Sequence, residues 1–143
     1  WRDLYRVSWQ VVRMSVTIGS VLAVIYLVGY NHIGGLFTTD VAVLELLHGV
    51  FWMVVLTQPI NAVAFAFDGI YKGLGNGKIL RNVLLISTFG VFVPIAWGAD
   101  ALGWQLIAIW SAFLGWMIIR GALLAIHFEK HFAPLAHSGR SLP

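Results

Sequence analysis

The residues that could do chemistry lie on one predicted helix face inside a long apolar stretch. Five of them follow one another at spacings of three or four: Gln58, Asn61, Phe65, Asp68 and Lys72. Pro59 lies in the same stretch and removes a backbone donor, which predicts a bend in the helix. Polar groups at membrane depth must face protein or a water-filled cavity, where amides can bind a substrate and a carboxylate can carry a proton or cation.

Depth separates the roles along this face. Gln58 and Asn61 lie near the estimated midplane, which is the depth typical of a transporter's substrate site. We therefore predict a substrate cavity with four lining residues: Gln58, Pro59, Asn61 and Phe65. Amides can also bond across helices or satisfy the carbonyl that Pro59 frees. Asn61 fits either role, and Gln58 fits the structural role better.

Two interpretations remain open for Asp68, which lies about one turn from the predicted inner end of its helix. It could carry a proton or cation, or it could tether helices by pairing with Lys72, Arg81 or Arg120. Arg120 is expected at a similar depth on the fourth apolar segment, and burial would make each charge dependent on the other. Depth favours the tether, because coupling carboxylates lie more often near the midplane. We predict a charge network, structural or coupling, that contains Asp68, Arg81 and Arg120.

Composition identifies an integral membrane protein. The 143 residues are 59% hydrophobic and only 10% charged, against about a quarter charged in soluble domains. There is no Cys, and no basic face of a soluble domain that would bind nucleic acid. GLGNGK lacks the end of a phosphate-binding loop, and no Ser/His/Asp set is suggested, so we predict no enzyme. His127 and His131 have metal-ligand spacing, but a solvated helix end is the better interpretation, and no metal site is predicted.

Apolar runs predict an all-α, polytopic transmembrane bundle with four spans, at residues 7–30, 41–72, 78–97 and 102–128. Thr39 or Asp40 is expected to cap the second span, and glycines 73–77 to end it. The transmembrane region covers residues 1–132. Residues 133–143, which contain Pro, Ser, Gly and Arg, are predicted to form a disordered cytoplasmic tail. The chain is expected to be a fragment of a longer protein.

The Lys and Arg residues lie at both ends and between Lys72 and Arg81, whereas Asp40, Glu45 and Asp100 lie between these clusters. This alternation predicts cytoplasmic ends and outward loops near residues 32–40 and 97–103. Trp97 and Trp104 are expected as interfacial aromatics at the outer turn, and Trp9 at the inner surface.

One segment resembles a known family. Residues 58–82, QPINAVAFAFDGIYKGLGNGKILRN, are similar to the tenth helix and following loop of MATE (multidrug and toxic compound extrusion) transporters. The shared features are a proline, an apolar run to a short motif, a glycine about four residues later and a basic loop. Asp68-Gly69 and Arg81-Asn82 resemble the DinF-type branch, and so does Arg120-Gly121 in the last helix.

The resemblance implies two six-helix lobes around a substrate cavity, with alternating access driven by H⁺ or Na⁺. The four spans would be helices nine to twelve, at the end of the C-terminal lobe, in the cell (inner) membrane. A helix-ten carboxylate of the NorM-type branch would fall at Asn61, so this chain lacks that acid. In the DinF-type branch the coupling acid usually assigned lies on the first helix, outside this chain.

The implied function is efflux of organic, cationic or amphipathic compounds. The implied partners are the lipid bilayer, a small organic substrate and the remainder of the same chain, with no cofactor besides the coupling ion. One alternative is a lipid-linked oligosaccharide flippase of the same superfamily, which would need cations in its cavity to meet a pyrophosphate. The other is a small four-helix membrane subunit with a structural role.

Overall fold

The protein is a bundle of helices in the computed structural model, which describes residues 1–101, 103 and 105–137, without the side chains of Asp100 and Gln105. These residues contain six α-helices and no strand, which confirms the predicted all-α fold. The helices are α1 (Arg2–Val28), α2 (Tyr30–Ile33), α3 (Val41–Gly73), α4 (Gly77–Ser87), α5 (Val93–Ala101) and α6 (Gln105–His137). A 3₁₀ turn (Gly34–Leu36) follows α2, and a π-helical turn (Thr88–Phe92) joins α4 to α5. Three parts of the sequence predictions lie outside the described residues: Trp104, residue 102 at the start of the fourth predicted span, and residues 138–143 of the predicted tail.

Four helical stretches among the described residues are long and apolar enough to cross a membrane: Arg2–Val28, Val41–Gly73, Gly77–Ala99 and Leu106–His137. They overlap the predicted spans but differ at the ends. The largest difference is in α6, which continues to His137, so residues 133–137 are helical rather than part of a disordered tail. Packing explains the extension, since Phe132 stacks on Phe128 at 4.9 Å and Ala136 is buried.

The bounds of α3 follow from its sequence. The Asp40 Oδ1 atom accepts a hydrogen bond from the Ala42 backbone N–H at 2.9 Å, so Asp40 caps the helix as predicted. The helix continues through Pro59 and ends at Gly73. Gly75 then takes a φ of 68°, a left-handed conformation that glycine adopts at little cost, and this turns the chain into α4.

The π-helical turn in the third span lies just before Pro94. A proline has no N–H to donate to the preceding turn, and a wider turn is one way for a helix to accommodate that loss. The indole N–H of Trp116 on α6 donates to the Thr88 hydroxyl at 3.2 Å, which ties this turn to α6.

The core lies at the end of the bundle that holds Trp1, the turn after Gly73 and the end of α6, called here the basic end. Aromatic rings join α1, α3 and α6 there: Trp9 meets Phe67 edge-on at 6.0 Å, and Tyr5 stacks on Phe128 at 5.8 Å. Phe67 and Phe128 are themselves 5.6 Å apart. Trp9 was expected as an interfacial anchor, but its ring contributes to this core.

Candidate functional site

A groove lies between α1 and α3, with a volume of about 680 Å³, and is called here the α1–α3 groove. From α3 it is lined by Gln58, Asn61 and Phe65, which are three of the four residues predicted for a substrate cavity. Pro59 is half-buried in α3 and is not among the described lining residues. The groove is open, since Phe65 at its wall is 57% exposed.

The two helices approach most closely at Gly19 on α1. A Cβ atom at this position would lie 2.8 Å from the Gln58 carbonyl oxygen and 2.9 Å from the Ala62 Cβ, distances that side chains do not tolerate. Glycine therefore permits backbone contact between α1 and α3, as small residues do between membrane helices. This contact fixes the position of Gln58 and its neighbours at the groove wall.

The two amides of the groove differ in their hydrogen bonds. Gln58 donates from Nε2 to the Val54 carbonyl at 3.1 Å, within its own helix, so it satisfies backbone as expected for a structural residue. The Asn61 Oδ1 atom is buried and has no hydrogen-bond partner among the described residues. A buried acceptor without a donor costs about 1–3 kcal/mol, so Asn61 is the lining residue with an unused polar group.

Asp68 and Arg120 form an ion pair between α3 and α6. The Arg120 guanidinium donates to the Asp68 Oδ2 atom, and the side chains are only 8% (Asp68) and 15% (Arg120) exposed. The guanidinium also lies over the Trp116 ring, 5.2 Å from its centroid. This is the only salt bridge among the described residues. Arg81, predicted in the same network, is exposed on α4 and makes no ion pair there.

The structure divides the predicted polar face of α3 between two neighbours. Asp68 bonds to α6, Asn61 and Phe65 line the α1–α3 groove, and Lys72 is exposed. Residues spaced three or four apart cover a broad arc of a helix rather than one line, and α1 and α6 pack against different parts of that arc. The tether and the cavity wall therefore belong to the same helix but to different contacts.

Sequence reasoning missed a polar network at the basic end. The hydroxyl of the buried Tyr71 lies 2.7 Å from His127 Nδ1, and His127 is half-buried. His127 is therefore part of a hydrogen bond between helices rather than of a solvated helix end. The Tyr5 hydroxyl donates to the Glu129 carboxylate at 2.9 Å and 3.0 Å. One usable indication was present in the sequence, because a tyrosine near the end of an apolar span carries a polar tip that needs a partner.

Comparison with known proteins assigns the family. The MatE family model matches residues 1–97, which include the whole α1–α3 groove and Asp68. The chain belongs to the MatE family. Membership confirms the predicted MATE resemblance, and together with four apolar helices it identifies an integral, multi-pass membrane protein.

Similar proteins carry transport or detoxification names. Protein DETOXIFICATION 45, chloroplastic, from Arabidopsis thaliana is 29% identical over 116 residues, covering 78% of this chain and 20% of that protein. Protein DETOXIFICATION 42 from the same plant is 30% identical over 115 residues, covering 80% and 22%. The multidrug export protein MepA of Staphylococcus aureus is 25% identical over 93 residues, covering 65% and 20%. The chain thus spans about a fifth of the length of these relatives. No solved structure gives a significant match.

Proposed function

We propose that this MatE chain is the C-terminal-lobe part, helices nine to twelve, of a DinF-type MATE antiporter. The whole protein would export organic, cationic or amphipathic compounds in exchange for H⁺ or Na⁺ by alternating access. Two findings support the proposal: a relative named as a multidrug export protein, and a match that covers about a fifth of the relatives' length. The basic clusters at both ends and between Lys72 and Arg81 support cytoplasmic ends, and the membrane in this proposal is the cell (inner) membrane.

The observation that carries the proposal is the α1–α3 groove with its unpartnered amide. Ile18, Leu22 and Phe65 give the groove an apolar wall, and Asn61 offers a buried acceptor oxygen. A site for an amphipathic organic compound has this composition, with mostly apolar contacts and a few polar groups that orient the ligand. In the proposed transporter, the groove forms one wall of the central cavity.

The charge content of the groove favours efflux over the flippase alternative. None of the described lining residues is Asp, Glu, Lys or Arg. A flippase that holds a pyrophosphate needs cations at the cavity wall, whereas an amphipathic compound can be held by aromatic and aliphatic contacts. The groove therefore suits the second kind of ligand.

Asp68 and Arg120 act as a tether in this proposal. Their ion pair joins α3 to α6 on a surface separate from the groove, and Arg120 is held further by the Trp116 ring. In this arrangement Arg120 is the partner of the Asp68 carboxylate, so the pair serves to hold two helices together. The coupling acid would then lie in a part of the transporter outside this chain.

Transport by the full-length protein tests the proposal. We expect Asn61→Ala to lower the kcat/KM for ethidium efflux from proteoliposomes about tenfold, as loss of one hydrogen bond to the substrate would. Asn82→Ala is the matched control, because Asn82 is an exposed amide on α4 outside the groove, and it should transport like the wild type. Equal transport by all three proteins would refute the role of the groove. An Asp68→Asn protein that folds normally and transports without ion coupling would refute the tether.

A further inference from the structure

A second candidate site lies on α1 at the basic end, apart from the α1–α3 groove. It begins as a polar recess of about 590 Å³ lined by Tyr5, Arg6, Trp9, Gln10 and Arg13, called here the basic recess. A second cleft of about 580 Å³ lies against α3 and α6, with apolar walls that include Val16, Val63 and Ala125, and is called here the apolar cleft. Trp9 and Arg13 line both, so the two adjoin at these side chains.

The cations of the basic recess are placed to bind an anion. Arg6, Gln10 and Arg13 are exposed and spaced four and three apart, so they project from one helix face. Neither arginine makes a salt bridge with any described residue. The nearby carboxylate of Glu129 is engaged by the Tyr5 hydroxyl. A guanidinium presents a planar fork of donors that matches a phosphate group, and an amide can add a further donor.

The apolar cleft favours a ligand that carries a hydrocarbon chain beside its anionic group, which a free anion lacks. Its floor includes Phe67, against which the Trp9 ring packs edge-on at 6.0 Å. It extends from the level of Trp9 to that of Thr17, into the part of α1 where the long apolar run begins after Arg13. The recess thus overlaps the start of the predicted first span, near the expected membrane surface, and the cleft continues along that span.

We propose that this composite site binds one anionic phospholipid. The phosphate lies in the basic recess between Arg6 and Arg13, with Gln10 as an additional donor, and one acyl chain lies in the apolar cleft against Val16 and Val63. Charge complementarity selects the head group, and the adjoining apolar cleft selects a lipid over a free phosphate. Basic pockets beside membrane helices are a known way of holding anionic head groups.

Lipid titration of the purified full-length protein, followed by native mass spectrometry, tests the proposal. We expect tighter binding of phosphatidylglycerol than of phosphatidylcholine. Removing both charges in the Arg6→Gln/Arg13→Gln protein should weaken phosphatidylglycerol binding about thirtyfold, since each guanidinium that contacts the phosphate contributes about fivefold. Lys72→Gln/Lys78→Gln is the matched control, because it removes the same charge from exposed residues at the same end, and it should change the affinity less than twofold.

A second variant tests the acyl-chain part without touching the arginines. Val16→Trp fills the apolar cleft and should weaken phosphatidylglycerol binding severalfold, while binding of inorganic phosphate stays unchanged. The proposal is overturned if the double arginine variant binds phosphatidylglycerol like the wild type, or if both double variants lose affinity equally. It is also overturned if inorganic phosphate competes as well as the lipid, or if another helix of the full-length protein occupies the cleft.

Discussion

The Asp68–Arg120 ion pair gives the sharpest prediction on stability. Its perturbation is a cycle of three variants: Asp68→Asn, Arg120→Gln and the combination of both. Each substitution removes one charge and leaves an amide that can still form hydrogen bonds; Asn keeps the shape of Asp, whereas Gln is shorter than Arg. The cycle therefore separates the ionic interaction between α3 and α6 from the packing of the two side chains.

The magnitude follows from burial. Side-chain exposures of 8% and 15% place both charges out of bulk water, where removing one partner costs about 3–5 kcal/mol because the other charge is stranded. Asp68→Asn should lie near the lower value, since the amide oxygen still accepts from Arg120. Arg120→Gln should lie near the upper value, since it also loses the Trp116 ring contact and strands a carboxylate whose Oδ1 atom already lacks a partner. The double variant leaves no stranded charge, so we expect it to cost about 1–2 kcal/mol, less than either single substitution.

The assay is reversible denaturation of the purified full-length protein, monitored by tryptophan fluorescence, with transport measured in parallel. Lys72→Gln is the control, because this exposed cation on the same helix makes no ion pair among the described residues, and its effect should stay within about 0.5 kcal/mol. Two results would refute the reasoning: single variants as stable as the control, or a double variant whose cost equals the two single costs together.

Two further predictions concern contacts between helices. Gly19→Ala places a Cβ 2.8 Å from the Gln58 carbonyl oxygen and should destabilise the protein by about 1–3 kcal/mol, whereas Gly49→Ala, where a Cβ meets nothing within 4 Å, should leave it equally or more stable. Equal melting temperatures for these two variants would contradict the close approach of α1 and α3. Tyr71→Phe removes only the hydroxyl, which bonds His127 at 2.7 Å and donates a longer bond of 3.4 Å to the Leu124 carbonyl, and should cost about 1 kcal/mol in the same denaturation assay. An unchanged midpoint would show that the bonds of this hydroxyl contribute no net stability.

The start and end of α3 were predictable from the sequence, because capping and chain turns depend on residues that are neighbours along the chain. Asp40 caps α3 through its own carboxylate, and the glycines from Gly73 onward end the helix because they impose little steric restriction on the turn. The Asp68–Arg120 pair was also predictable, since two opposite charges at similar depths in apolar helices have few other ways to avoid exposure to lipid.

Contacts that depend on the rotation of one helix against another were not predictable in the same way. Periodicity places Asn61 and Asp68 on one face of α3. It does not predict which part of that face contacts α1 and which part contacts α6. Arg81 was grouped with the ion pair by its position in the chain, and its exposure on α4 became visible only in three dimensions. The Tyr71–His127 hydrogen bond joins residues separated by 56 positions, and the sequence around either residue does not identify its partner.

The division of α3 constrains the coupling chemistry of the proposed transporter. Asp68 is engaged by Arg120 outside the α1–α3 groove, and the described lining residues of the groove carry no formal charge. A cationic substrate bound there would meet the Asn61 oxygen and aromatic or aliphatic side chains, which orient a ligand but do not neutralise it. In the proposed transporter, a compensating carboxylate would come from a helix that faces this groove in the whole protein. Competition between substrate and coupling ion would take place at that carboxylate, and Asn61 would set substrate preference without changing the ion that drives transport.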